Sequence, residues 1–178
     1  MERLLQRLIK GPDIGNGVFI APNATVFGDV TVKDNASIWY SCVLRGDVDR
    51  IEVGCSTSVQ DGSVLHTTKD LYPVIIGDFT TIAHGVCLHG CTIGNNVLVG
   101  IGSIILDNVV IGNNCIVAAG SLIPPGKTFP DGSFIMGHPA RITRQLTSKD
   151  IVMVRANAER YVEYKNLYLK HAIELKIE

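Results

Sequence analysis

Residues 93–123 read IGNNVL VGIGSI ILDNVV IGNNCI VAAGSL I, and a large aliphatic opens every block of six: Ile93, Val99, Ile105, Ile111, Val117 and Ile123. Toward the N-terminus the same spacing recurs in Ile20, Val26, Val32, Ile38 and Leu44, in Val53, Val59 and Leu65, and in Ile76, Ile82 and Leu88. Four residues after most of these sits a small or β-branched side chain, such as Ala36, Cys42, Ser63, Thr80, Ser103 or Ser121. A period of six fits neither an amphipathic helix nor an alternating strand. It fits a solenoid in which each unit is one short strand and a corner. Three units close a triangular coil. The aliphatic fills the axis, the small residue packs beside it, and Gly or Asn takes the unusual backbone angles at the corners, as Asn95-Asn96 and Asn113-Asn114 would. The sequence therefore predicts an all-β solenoid over residues 18–126 of a single domain, 1–178.

The repeat is broken in three places. Leu44 to Val53 is nine residues, Leu65 to Ile76 is eleven, and Leu88 to Ile93 is five. Departures from a regular scaffold mark function. Outside the repeat, Met1 to Gly17 reads as a leader whose Leu4, Leu5, Leu8 and Ile9 line a short helical turn ended by Gly11-Pro12. The breakers Pro124-Pro125-Gly126, Pro130-Asp131-Gly132 and Gly137-His138-Pro139 predict an irregular connection over 127–147. Thr147, with Asp150 three residues on, opens an amphipathic C-terminal α-helix over 148–170, with Ile151, Val154, Ala158, Tyr161, Val162 and Lys165 on one face. That helix is expected to cover the solenoid or a neighbouring subunit, and the tail from His171 is expected to fray.

The composition narrows the function classes. A net charge of -1 gives no reason to expect nucleic acid or an anionic membrane as partner. No apolar run is long enough to span a bilayer, and the N-terminus lacks the apolar core of a signal peptide. These points lead to the expectation of a cytoplasmic protein. Five cysteines, an odd number without a tight spacing framework, read as reduced thiols.

The breaks surround IAHGVCLHGCTI, residues 82–93, which carries His84 and His89. Counted in units, Leu44, Leu65 and Leu88 lie one coil apart, so Arg45, His66 and His89 form an outward column at ~4.8 Å steps. On the neighbouring side Val59 and Ile82 are one coil apart, so Asp61 stacks on His84 with Gln60 beside them. His84 and His89 are roughly 15 Å apart along extended chain, too far for one metal with bonds of about 2.1 Å. His66 and His89 of one chain with His84 of the next would serve, which points to a cyclic homotrimer with sites shared between adjacent chains. Three histidines suit Zn2+, and also Fe2+ or Co2+. A mixed site from Cys87, His89 and Cys91 is the minor alternative; cysteine is ordinary filling in a tight coil.

The stretches RGD at Arg45–Asp47, VQDGSVLH at Val59–His66 and IAHGVCLHGCTIG at Ile82–Gly94 resemble the gamma-class carbonic anhydrases, and GHPAR at Gly137–Arg141 resembles the turn after the coil in hexapeptide transferases. The resemblance covers nearly the whole chain. It implies a left-handed parallel β-helix, a homotrimer, and zinc on His66, His84 and His89. The activity it implies is reversible hydration of carbon dioxide to bicarbonate by a metal-bound hydroxide. It further implies that Arg45 pairs with Asp47 or Asp61 across the interface, that Gln60 meets water or substrate, and that Tyr161 reaches into the pocket. Two departures stand out. The loop Thr67–Pro73 has only Asp70 where some relatives carry acidic proton shuttles, and Ser58 replaces an asparagine. Both put fast turnover in doubt. The rival readings are acyl transfer or thioester hydrolysis on the same fold, and a metal-binding scaffold without turnover.

Overall fold

The computed structural model describes residues 2–171, so residues 172–178 of the tail expected to fray lie outside the described residues. The repeat folds as a parallel β-solenoid of about seven turns, with a helix at each end. Its three faces follow from the register. One face stacks Leu44, Leu65, Leu88, Ile105 and Ile123. The second stacks Val32, Val53, Ile76, Ile93, Ile111 and Phe129. The third stacks Ile20, Ile38, Val59, Ile82, Val99, Val117 and Ile135. Apart from Ile20 these side chains are buried and form one continuous core along the axis. The aliphatic that recurs every six residues is thus the inward one, and its neighbours on either side point out.

The first two faces are one continuous sheet because the strand Val43–Val53 runs round their shared corner. Its first half pairs with Val64–His66 and its second half with Val74–Ile76. At another corner the chain turns through one left-handed residue per coil: Asn35, Ser56, Phe79, Asn96 and Asn114 all have φ between 52° and 59°. Asparagine tolerates that region, whereas phenylalanine is an outlier there. The ring of Phe79 lies beneath the guanidinium of Arg155, 3.2 Å from ring centroid to Cζ, which ties this corner to the C-terminal helix.

Two boundaries differ from the sequence reading. Pairing begins within the expected leader, where Asp13–Ile14 lies against Thr31–Val32. The helical turn expected in the leader is present as α1 (Glu2–Lys10), and it ends just before Gly11-Pro12. The connection expected to be irregular over 127–147 is largely strand. Phe129 and Ile135 continue the six-residue spacing into the core, and Ala140–Gln145 then folds back antiparallel on Ser133–Gly137. The proline-glycine clusters do not break the coil because they sit at its corners, where Gly126 and Gly132 have φ of 73° and 74°.

The C-terminal helix, α2, runs Ser148–His171. Thr147 and Asp150 form a reciprocal cap: the Thr147 backbone N–H donates to Asp150 at 2.8 Å and the Asp150 N–H to Thr147 Oγ1 at 3.3 Å. Bonds from Arg144 and Thr147 hold the Asp150 carboxyl far below the usual carboxylate range. The helix lies across the third face of its own chain, burying Val154, Ala158 and Lys165, while Tyr161 and Tyr168 pack edge-on against Trp39. The fully buried Lys165 ammonium is capped by the Asn166 side-chain oxygen at 2.6 Å, and burial lowers its pKa. No helix among the described residues is long and apolar enough to cross a membrane.

Candidate metal centre

The column count holds in the register: Arg45 pairs with His66, and His66 with His89. His66 Nδ1 and His89 Nε2 face each other at 3.1 Å. Two ligands on one tetrahedral ion, each at about 2.1 Å, would stand about 3.4 Å apart, so the pair is close to the spacing of two metal ligands. The second column also holds. The N–H of Gly85 donates to the carbonyl of Asp61 at 2.9 Å, and His84 Nδ1 lies 2.8 Å from Asp61 Oδ2.

Each of the three imidazoles has its other nitrogen on a carboxylate. His66 Nε2 meets Asp47 Oδ1 at 3.2 Å, His84 Nδ1 meets Asp61 Oδ2 at 2.8 Å, and His89 Nδ1 meets Asp107 Oδ1 at 2.7 Å. Such an outer partner fixes the ring and the tautomer of a metal-ligating histidine and leaves the remaining nitrogen as the donor. Burial is the largest influence on His66 and lowers its pKa; Arg45 and His89 push the same way, against the bond to Asp47. The shift favours the neutral ring, the form that a metal ligand takes. Burial opposes the charge on Asp47, yet the bonds from Arg45 and His66 outweigh it and keep its carboxyl below the usual range.

The other expected site residues fall into place unevenly. Arg45 is half-exposed and pairs with Asp47 of its own chain at 2.6 Å. Gln60 is buried, and with Ala83, His84, Asn157 and Tyr161 it lines a cleft of about 300 Å³. Tyr161 also walls a second cleft of about 350 Å³ that holds Asp61. Burial, and after it the Asp61 charge, raises the Tyr161 phenol. One chain thus brings together Arg45, Asp47, His66 and His89 on one face, and Gln60, Asp61, His84 and Tyr161 around another. Among the described residues of one chain, no three His, Cys, Asp or Glu groups converge on a common point. The five cysteines are free thiols, and burial pushes Cys42 up to about 11.

Two sets of residues escaped the sequence reading. Asp107 stands two positions past Ile105, which pairs with Leu88, whereas the unit count one coil beyond His89 lands on Leu106, so no column position marks it. Arg7 of α1 had no signal either. Its guanidinium donates to the Val48 carbonyl, to Asp70 at 2.8 Å and to Asp49 at 3.4 Å. Asp70 is therefore engaged by the N-terminal helix rather than free in solvent.

The coil and the repeat define a hexapeptide-repeat β-helix protein. The family model described as bacterial transferase hexapeptide (six repeats) matches residues 90–125. The chain is 41% identical over 170 residues to gamma carbonic anhydrase 1, mitochondrial, of Arabidopsis thaliana, a match that takes in 93% of this chain and 61% of that relative. It is 41% identical over 159 residues to a carbonic anhydrase of Geobacillus kaustophilus, taking in 89% of this chain and 87% of the relative. Among solved structures it superposes on a hexapeptide transferase family protein from Anaplasma phagocytophilum with a TM-score of 0.83 and 44% identity, over 88% of this chain and 92% of the other. The chain belongs to the gamma carbonic anhydrase family. It spans about three fifths of the length of the Arabidopsis relative.

Proposed function

We propose that this protein hydrates carbon dioxide reversibly to bicarbonate at a divalent metal, zinc by preference, held by His66 and His89 of one chain and His84 of the next in a cyclic trimer. The observation that carries the reading is the set of carboxylates behind the three histidines, with two bare ring nitrogens already facing each other. Fe2+ or Co2+ would suit the same donors. When bound, such an ion supplies a Lewis acid that activates water at neutral pH.

The chain's own residues supply the rest. Asp47, Asp61 and Asp107 orient the rings, and three neutral imidazoles leave the ion its full charge. Gln60 offers an amide at the cleft beside His84, to orient water or substrate, and Tyr161 closes the far wall. An outward apolar row supports assembly. Val43, Val64, Cys87, Ile104 and Leu122 stand in register on the face that carries His66 and His89, and Val64 and Ile104 are about two-fifths exposed in one chain. Ile101, 58% exposed, borders the cleft of His84. Apolar patches of this kind mark subunit contacts. In the trimer Arg45 would then reach the acidic residues of the neighbouring chain. Reduced thiols fit a cytoplasmic setting.

Proton export is the weak step. The loop after His66 offers one carboxylate, Asp70, and Arg7 holds it. Metal analysis of anaerobically purified protein, paired with a carbon dioxide hydration assay, tests the reading. Metal with turnover supports it, metal without hydratase turnover favours a scaffold, and turnover of acyl thioesters without metal favours acyl transfer. That last outcome has a specific motive in the likeness to a transferase family structure.

A further inference from the structure

The loop Thr67–Pro73, inserted after His66, does something other than carry acids. Its first turn is closed on itself. The N–H of Thr68 donates to the Tyr72 carbonyl at 3.0 Å, and the N–H groups of Leu71 and Tyr72 return to the Thr68 carbonyl at 3.1 Å. Thr67 is buried beneath it. The closure fixes the hydroxyl of Thr68, which donates to Asp107 Oδ1 at 2.9 Å. The same oxygen accepts from His89 Nδ1 at 2.7 Å.

Asp107 reaches His89 from the next coil up, and the chain makes room for it. Leu88 to Ile93 is one residue short of the repeat, and the tightened stretch contains Gly90 at φ 55°. A Cβ at Gly90 would collide with Asp107 Oδ1 and with Tyr72 Cβ. The Asn108 N–H donates to the Gly90 carbonyl at 2.8 Å, so the two coils are pinned beside the contact. A shortened repeat, a glycine and a loop insertion thus converge on one carboxylate oxygen.

We infer that Asp107, braced by Thr68, is a positioning residue that sets the His89 ring against His66, and that the insert after His66 serves as this brace. The inference rests on the metal reading above. His66 leads through the chain to Thr68, Thr68 holds Asp107, and Asp107 holds His89, whose Nε2 faces His66 again. This closed circuit fixes the two imidazoles of one chain relative to each other before the third arrives from a neighbour. A bond to an ionised acceptor is the stronger kind, so turning the His89 ring over would forfeit it.

The test is the zinc affinity of the full-length protein, measured by competition with a chelator, together with the visible spectrum of the cobalt-substituted form. Asp107→Ala is expected to weaken zinc binding about 10–100-fold and to alter the cobalt spectrum, with the fold unchanged by circular dichroism. Asp107→Glu should recover part of the loss. Thr68→Val, nearly isosteric, should act in the same direction by about three- to tenfold. Wild type binding zinc while Asp107→Ala binds within twofold of it, with the same spectrum, would overturn the inference and leave the metal reading standing. Should Asp107→Ala not fold, Thr68→Val decides, and unchanged affinity there overturns it. Wild type with no zinc affinity at all would overturn both.

Discussion

The coils above Ile93 and the coils between Leu44 and Ile93 share one core and one ladder of corner side chains, which also takes in the Cys55 N–H on Asp78 Oδ1, and differ in the regularity of their spacing. In the upper coils the spacing is regular and the ladder joins successive turns. Asn95 Oδ1 accepts from the Asp78 N–H, Asn113 Oδ1 from the Asn95 N–H and Asp131 Oδ1 from the Asn113 N–H, at 2.7–2.9 Å. In the lower coils every irregularity carries polar chemistry. The three-residue insert holds Asp47, the five-residue insert holds Thr68 and Asp70, and the single deletion admits Asp107. A parallel coil fixes where each Cα column stands, so chemistry is added by changing corners and leaving the inward aliphatics alone.

The sharpest way to break this contrast is to remove ligands from the lower coils. His66→Ala and His84→Ala should each abolish metal retention while the β-helix survives, and mixed trimers re-assembled from the two variants should recover metal. In such mixtures some interfaces hold all three ligands. Elemental analysis of re-assembled mixtures without metal would sink the shared site. The converse change belongs in the upper coils. Ile111 is buried on the second face, and Ile111→Ala should cost about 2–5 kcal/mol of stability without loss of metal. A denaturant titration alongside metal analysis checks this, and metal loss in a still-folded variant would mean that the two regions are not separable.

A smaller effect concerns proton export. With Asp70 tied to Arg7, turnover should rise with the concentration of a small imidazole buffer. Arg7→Ala, which frees Asp70, should raise the rate at low buffer by about two- to fivefold. Initial rates across a buffer series decide it, and a fast rate indifferent to buffer would refute the argument. The smallest effect lies at the start of α2. The Asp150 carboxyl has its pKa lowered by folding, so its contribution is fully present above the unfolded value of about 3.9 and is lost progressively as pH falls from there through the lowered folded value. Asp150→Asn should therefore lower the thermal midpoint at pH 6, and the gap to wild type should narrow steadily as pH falls below about 4. A gap independent of pH would show that the cap acts without its charge.

Much of this molecule was legible in the order of its residues. The period of six fixed which side chains point inward, because a strand alternates and a closed coil repeats. Unit counting along the sequence puts His66 over Arg45 and His89 over His66, since stacking in a parallel coil is arithmetic. Thr147 and Asp150 announced the helix start through local capping chemistry. Where the reading stopped short, the cause is physical. Proline and glycine look like terminators in a linear pattern, yet a solenoid needs such residues at every corner, so the coil runs on to Ile135. Asp107, Thr68 and Arg7 join the site through side chains from other coils and from α1. No periodic signal marks them, because a hydrogen bond across the surface depends on the final direction of each side chain. Composition and spacing determined the scaffold and the histidine columns. Only the packed tertiary structure decided which carboxylate stands behind each ring, because that choice is made by the corners, where the repeat imposes no rule.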